Sequence, residues 1–520
     1  MIVHARQVPV DDNSSGPLWA KIIDQSRCIG CHACTTACKS ENEVPLSVTR
    51  TYVKSVDVGT FPNVRRAFGV TRCNQCEAAP CVTACPTSAM YRRPDGIVDF
   101  DKSICIGCKA CMAACPYDAI FINPQDHSAE KCNFCAHRLD VGLEPACVVV
   151  CPVEALLVGD MRDPASKVAQ MVGREPLQVR RPEKGTRPKV FYKGAHQATL
   201  DPLAARRPEG GLYAWSEQPT GPREIGSGTA GRWNSSAAAL LSYDVSHTAP
   251  WDWRVSAYTW TKGIASGVYL VALLLVAFGG ASASGPLWSW AAPLCAIAFL
   301  ALTGGLLVWD LEHPARFYLI FTRPQWRSWL VRGAFIIAAY SAVLALDLLV
   351  TLTGSGPVSL WLAIAGTPLA VMTAVYTGYL FAQSKARDLW QNPLLPPHLL
   401  VQSLMAGAAV LAPFAAWFEP AAFAAALIVL GTSAAVHVLF VTGELTLVHV
   451  TAHAQAATRV MTRGAYARTF WTGAALVVAG GLCCACPERA IELAATPLVL
   501  AGLLLHEHAY VQSAQAVPLA

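Results

Sequence analysis

The chain has 520 residues, 53% of them hydrophobic, and a formal net charge of +5. That length exceeds one ordinary domain, and so small a charge excess gives no case for nucleic-acid binding. The apolar residues gather after about Tyr258, so the average conceals a polar head and a membrane tail.

In chain order, Met1 to Leu18 shows no apolar signal region and no twin-arginine pair, so no export address is expected. Residues 1–193 read as a cysteine-rich head of short strands and turns, as in Pro94-Asp95-Gly96-Ile97-Val98-Asp99. Residues 194–257 turn to Pro, Gly, Arg and Ser and read as an extended linker. The basic stretch Arg180-Arg181-Pro182-Glu183-Lys184 just before it reads as a solvated charged loop, with contact to anionic lipid the alternative.

From 258 to 520 eight apolar segments follow, at about 261–281, 287–309, 329–351, 358–382, 395–418, 421–443, 468–486 and 490–506. Each is near the ~20 residues needed to cross a bilayer. The fold class expected is an α+β ferredoxin-like head with two dicluster halves, followed by an all-α polytopic membrane domain of eight transmembrane helices. The loops on one side carry Arg316, Arg323, Arg327, Lys385, Arg387, Arg459, Arg463 and Arg468; the opposite loops carry only Arg489. Eight against one is a positive-inside bias. It places the head on the cytoplasmic face of the inner membrane.

Sixteen of the twenty cysteines lie between Cys28 and Cys151 in four groups. Cys28, Cys31, Cys34 and Cys38 have the spacing C-x2-C-x2-C-x3-C. Cys73, Cys76, Cys81 and Cys85 have four residues in the middle gap, and Pro86 follows. Cys105, Cys108, Cys111 and Cys115 keep the first spacing and end in Pro116, whereas Cys132, Cys135, Cys147 and Cys151 have an eleven-residue gap and end in Pro152. A cubane needs four thiolates and short loops around its corners. Gly30, Ala33, Gly107 and Ala110 are small enough to turn backbone amides toward cluster sulfurs. Structural zinc also uses C-x2-C pairs, but four repeated runs, three with a following proline, favour four [4Fe–4S] clusters. Cys295, Cys483, Cys484 and Cys486 lie in or beside membrane segments and read as packing thiols.

The head resembles the four-cluster electron-transfer subunit of the complex iron–sulfur molybdoenzymes. The residues that carry the likeness are Cys28-Ile-Gly-Cys-His-Ala-Cys, Cys73-Asn-Gln-Cys-Glu-Ala-Ala-Pro-Cys, Cys105-Ile-Gly-Cys-Lys-Ala-Cys-Met-Ala-Ala-Cys-Pro-Tyr and Lys131-Cys-Asn-Phe-Cys, with Gly185-Thr-Arg-Pro-Lys-Val-Phe-Tyr192 at its end. The membrane part is similar to the polysulfide-reductase-type anchor of nitrite and polysulfide respiration, through Asp310-Leu-Glu-His-Pro-Ala-Arg-Phe317, Trp326-Arg-Ser-Trp329, Tyr376-Thr-Gly-Tyr379 and Gln515-Ala-Val-Pro-Leu519. Two parts that are usually separate polypeptides are fused here. The resemblance implies that the first cysteine group pairs with the fourth and the second with the third. Cys28, Cys31, Cys34 and Cys151 would hold one cluster, and Cys132, Cys135, Cys147 and Cys38 another. Cys73, Cys76, Cys81 and Cys115 would hold the third, and Cys105, Cys108, Cys111 and Cys85 the fourth. Two departures stand out: Lys39 rather than Pro follows Cys38, and Asp310-Leu-Glu-His-Pro replaces the Asp-Leu-Gly-Arg-Pro of some anchors.

Polar side chains at membrane depth are costly and mark candidate sites. A quinone exchanges protons with electrons, so its site needs titratable or hydrogen-bonding groups near a cluster. Lys262, Asp310, His313 and Tyr376 form the expected set, the alternatives being a snorkelling lysine, a helix-end salt bridge through Asp310 and Arg316, and a tyrosine bonded to a carbonyl. His437, Val441 and Glu444 share a helix face, with His449 and His453 beyond. They suggest a proton path or a buried His–Glu contact; no partner for His437 on a facing helix is evident, which argues against a haem. The expected function is electron transfer between a catalytic subunit, carrying a molybdenum or tungsten pterin, and menaquinone or ubiquinone in the bilayer. The alternative is a proton-translocating energy-coupling module.

Overall fold

The computed structural model describes residues 16–207, 238–354 and 356–520. Two compact units result: Met1–Pro250 with Ser384–Arg387 and Ala516–Ala520, and Trp251–Gln383 with Asp388–Gln515.

In the first unit, β1 (Trp19–Asp24) is central to a three-stranded sheet. Strand alternation gives it two buried faces. Ala20 and Ile22 pack with Val168, Leu177 and Phe191, while Ile23 joins Val53, Val70, Val190 and Tyr192. β2 (Thr51–Thr60) and β3 (Asn63–Arg72) form an antiparallel hairpin whose register runs from Thr51 opposite Arg72 to Thr60 opposite Asn63. The hairpin carries Arg72 into the core, immediately before Cys73. β4 (Met90–Arg92) and β5 (Val98–Phe100) pair across the Pro94-Asp95-Gly96 turn, where Gly96 takes a φ of +77° that other residues resist. β6 (Ile120–Ile122) and β7 (Ala129–Lys131) repeat this hairpin. β8 (Leu156–Asp160) runs antiparallel to β1, and β9 (Val190–Lys193) runs parallel to it.

The described parts of the 194–257 stretch are more ordered than a linker. Gln197–Leu200 is a helical turn with buried Ala198, Thr199 and Leu200. β10 (Ala239–Tyr243) adds to the edge of β2, burying Ala239 and Leu241 against Val56, Ala204 and Ala205. The apolar alternation of Ala239 and Leu241 is too short to announce a strand; the free edge of β2 supplies the template. The remainder of that stretch, 208–237, lies outside the described residues.

The second unit is a helical bundle. Seven helices among the described residues are long and apolar enough to cross a membrane: Trp253–Ala277, Leu287–Trp309, Trp329–Thr353, Trp361–Gln383, Leu395–Phe418, Pro420–Thr446 and Arg489–Gln515. The seventh expected segment forms the shorter apolar helix Ala467–Cys483. The first helix begins at Trp253 rather than near residue 261, because Asp252 caps it by accepting from the Arg254 amide. Small residues let helices touch in a milieu where apolar burial gives no preference for a neighbour. A methyl on Gly407 would fall 2.0 Å from the Gly267 carbonyl carbon, so these two backbones meet directly. Gly473 and Gly502 bring Ala467–Cys483 against Arg489–Gln515 in the same way.

Candidate functional site

The head cysteines are all free of disulfides. Their spacing explains their grouping. In each run the third and fourth cysteines are four residues apart and straddle one short helix: Ala33–Glu41, Pro80–Ala84, Ala110–Ala114 and Ala146–Val149. One helical turn shifts the fourth thiol along the same face and away from its own run. Cys38 has Cys132, Cys135 and Cys147 as charge neighbours. Cys151 neighbours Cys28 and Cys34. Cys115 neighbours Cys73, Cys76 and Cys81, and Cys85 neighbours Cys105 and Cys111.

Gly30 and Gly107 turn the first and third loops in left-handed conformation, at φ +70° and +69°. A side chain at Gly30 would collide with the Phe68 ring. Pro86, Pro116 and Pro152 stop the helices after their fourth cysteines. Where Lys39 replaces the proline, the helix runs on to Glu41. The extension delivers Asn42, whose Nδ2 lies 3.7 Å from Cys38 Sγ and 3.6 Å from Cys135 Sγ.

The donor set fits iron–sulfur clusters. Burial pushes the thiol of Cys34 up to about 11, and those of Cys38, Cys76 and Cys115 up to about 12, with neighbouring thiolates adding to the rise. Four thiolates packed together therefore need bound positive charge. Cys147 differs: burial raises it, but Arg72 and Lys21 outweigh burial and hold it at about 7. Arg72 Nη1 donates to Cys147 Sγ at 3.2 Å, and Lys21 Nζ lies 3.6 Å from the same sulfur. The guanidinium is buried, yet its Nε and Nη2 have no hydrogen-bond partner among the described residues. Cluster sulfides would supply the missing acceptors. Amides of Met90, Ala129 and Ala155 lie 3.4, 3.5 and 3.2 Å from Cys85, Cys105 and Cys151 sulfurs.

In the helical unit, Lys262 is fully buried and does not snorkel. Its Nζ donates to the Ala374 carbonyl at 2.9 Å and Thr377 Oγ1 at 2.7 Å, and lies 4.7 Å from the Tyr376 ring centroid. Gly333 leaves room for Tyr376, since a methyl there would lie 2.3 Å from that ring. Tyr258, one turn before Lys262, bonds Thr377 and is within electrostatic reach of Tyr376, Asp310 and Glu507. Glu507 lies within electrostatic reach of Lys262. Asp310 is also 3.7 Å from Arg254. His313 sits half-buried before the turn Pro314–Arg316. Tyr258 and Glu507 were not singled out by sequence. Glu507, one residue beyond the last apolar segment and inside the helix Arg489–Gln515, was the available signal.

One expectation is corrected. His437 does have partners on facing helices: His398 and His506, all three buried. Separation by 39 and 69 positions hides the grouping from any local pattern.

A family model for polysulphide reductase, NrfD, matches residues 242–518, more than half of the chain. The chain belongs to the NrfD family. The head matches a 4Fe–4S binding domain over residues 19–40 and a 4Fe–4S dicluster domain over 64–161. It is 45% identical over 176 residues to a polysulfide reductase chain from Wolinella succinogenes, a match spanning 33% of this chain and 92% of that protein. A tetrathionate reductase subunit from Salmonella typhimurium is 44% identical over 192 residues, 36% of this chain and 77% of the relative. The arsenate respiratory reductase iron–sulfur subunit ArrB of a Shewanella species is 38% identical over 220 residues, 33% of this chain and 94% of the relative. This NrfD-family protein thus joins an iron–sulfur electron-transfer head to a multi-pass helical membrane domain in one chain.

Proposed function

We propose that the chain is the electron-transfer and membrane-anchor subunit of a respiratory oxidoreductase, linking a catalytic subunit to the quinone pool. The observation that carries this reading is that the fourth cysteine of each run has thiols of another run among its charge neighbours, which supports four sets of four. Cys28, Cys31, Cys34 and Cys151 form one set; Cys38, Cys132, Cys135 and Cys147 a second; Cys73, Cys76, Cys81 and Cys115 a third; and Cys85, Cys105, Cys108 and Cys111 a fourth. Each set would hold one [4Fe–4S] cluster, which supplies one-electron transfer when bound. The chain's own residues set spacing, sulfur hydrogen bonding and local charge. The catalytic partner carries a molybdenum or tungsten pterin, a reading supported by the kinship with components of polysulfide, tetrathionate and arsenate reductases.

Quinone reduction consumes two electrons and two protons, so its site needs residues that hold and pass protons out of contact with bulk water. Lys262, Asp310, His313 and Tyr376 are the proposed residues, extended by Tyr258 and Glu507. Lys262 and Glu507 are buried titratable groups within electrostatic reach of one another, so a proton can pass between them without a change in their summed charge. We count Ala467–Cys483 as an eighth span, with the head on the cytoplasmic side by the loop-charge bias. The same pair also favours a second reading, in which the anchor moves protons across the membrane.

The test is reduction of the clusters by a quinol in the complex purified from native membrane. Wild-type protein should give four cubane signals and accept electrons from quinol. Lys262→Met should slow that step by at least about tenfold, as expected for loss of a positioned group that takes part in accepting the protons the quinol releases, with iron content unchanged. Fewer than four cubanes in intact protein would overturn the ligand sets. A complex without molybdenum or tungsten would overturn the pterin partner, and unchanged quinol oxidation in Lys262→Met would remove Lys262 from the site. Liposomes that reduce quinone with no proton movement beyond scalar uptake would exclude pumping.

A further inference from the structure

We infer that His398, His437 and His506 form a metal site inside the helical unit, suited to a late first-row divalent cation and to zinc first. One imidazole comes from each of three helices, Leu395–Phe418, Pro420–Thr446 and Arg489–Gln515. All three side chains are buried, and one ring nitrogen from each lies within 4.8 Å of the others. His398 Nε2 and His437 Nδ1 are 2.9 Å apart. The His437 and His506 ring centroids are 4.8 Å apart at 81°, and those of His398 and His506 are 5.8 Å apart at 61°. The rings therefore converge from different directions rather than stacking.

Zinc–imidazole bonds of about 2.0–2.1 Å in a tetrahedron set nitrogen separations of about 3.3 Å. The His398 and His437 nitrogens at 2.9 Å lie just inside that value, and the remaining separations, within 4.8 Å, need to close by at most roughly 1.5 Å to meet it. His398 and His437 do not sandwich a haem in this arrangement, since rings in hydrogen-bond contact cannot hold a macrocycle between them. Magnesium and calcium prefer oxygen donors, whereas three neutral imidazoles favour zinc and its neighbours.

Hydrogen bonding among the rings does not account for the whole group. His506 Nδ1 is buried with no hydrogen-bond partner among the described residues, a costly arrangement for an imidazole held only for packing. Gln402, one turn beyond His398, has its Nε2 3.5 Å from His398 Nε2 and a buried Oε1 that also has no partner among the described residues. That oxygen is available as a fourth ligand or as an acceptor for a ligand water. Phe440 stacks on His398 at 5.0 Å, and Phe470 and Tyr510 lie 5.9 and 6.3 Å from His506. Glu444 follows His437 by two helical turns on the same face and lies within electrostatic reach of Tyr510. Its carboxylate is the nearest sequence-adjacent source of compensating charge on that helix.

None of these residues belongs to the proposed quinone set, so the two readings fail independently. The test uses full-length protein in detergent, treated with chelator and reloaded with zinc. Metal and iron are counted together, and the zinc K-edge is recorded. About one zinc per chain is expected, with a nitrogen shell and the outer-shell scattering of imidazole. His437→Gln and His506→Asn should lose that zinc and keep their iron. Sulfur scattering would place the zinc in a cysteine set and overturn the proposal. Retention of less than about 0.2 zinc per chain after desalting would do the same, given the affinity expected of a built site, as would full retention in both variants. Should either variant fail to assemble, the wild-type count and edge spectrum decide alone.

Discussion

Replacing Arg72 with glutamine should lower the reduction potential most at the cluster proposed for Cys38, Cys132, Cys135 and Cys147, less at that proposed for Cys28, Cys31, Cys34 and Cys151, and leave the other two nearly unmoved. Arg72 Nη1 lies 3.2 Å from Cys147 Sγ, and Cys132 and Cys34 are its other thiol neighbours. A cation there favours the reduced cluster, which carries one more negative charge. With the cluster centre roughly 7 Å from the guanidinium and an effective dielectric of about 20, Coulomb's law gives about 2.4 kcal/mol. For a one-electron couple this is roughly 100 mV, using about 59 mV for each tenfold change. A potentiometric titration followed by electron paramagnetic resonance should show one step moving down by about that amount in Arg72→Gln and a second moving down by less. Arg72→Lys, which keeps the charge, should move it far less. Four unmoved steps in a glutamine variant with full iron content would refute the argument, and so would an upward shift.

Cys38→Ser should deplete the cluster proposed for Cys132, Cys135 and Cys147 and leave that of Cys28, Cys31 and Cys34; loss of the latter signal instead would reverse the pairing. His247 offers a test of head stability against pH. Its Nδ1 lies 2.6 Å from Asp118 and its Nε2 3.2 Å from Asp244, and although burial opposes its charge, the two carboxylates hold it up to about 10. A raised folded value means that the stabilisation is full below the unfolded value near 6.5 and is lost as pH rises through about 10. The urea midpoint for loss of cluster absorbance should therefore fall between those limits in wild type; a His247→Gln variant should show a shallower fall, and equal slopes would count against the ion triad. In the bundle, Gly407→Ala places a methyl against the Gly267 backbone, and overpacking of this kind costs about 1–3 kcal/mol. A lower thermal midpoint in detergent is expected, and an unchanged one would mean that the two helices separate freely.

The sequence by itself determined what depends on near neighbours. The i, i+4 spacing within each cysteine run places two thiols on one short helix, and prolines after three of the runs end those helices. Long apolar segments announce spanning helices because bilayer thickness and helix rise fix the count. Even the departure at Lys39 was visible, although its effect was not: without proline the helix continues and brings Asn42 to two sulfurs. Tertiary structure decided the pairings between distant residues. Arg72 reaches Cys147 because the β2–β3 hairpin turns its last residue inward. Glu507 comes within electrostatic reach of Lys262 because the first and last helices pack in one bundle. The edge of β2 recruits β10 from a stretch that reads as linker. The histidines at 398, 437 and 506 meet by packing alone, since helical periodicity fixes the face of a residue on its own helix but not which helix that face will meet.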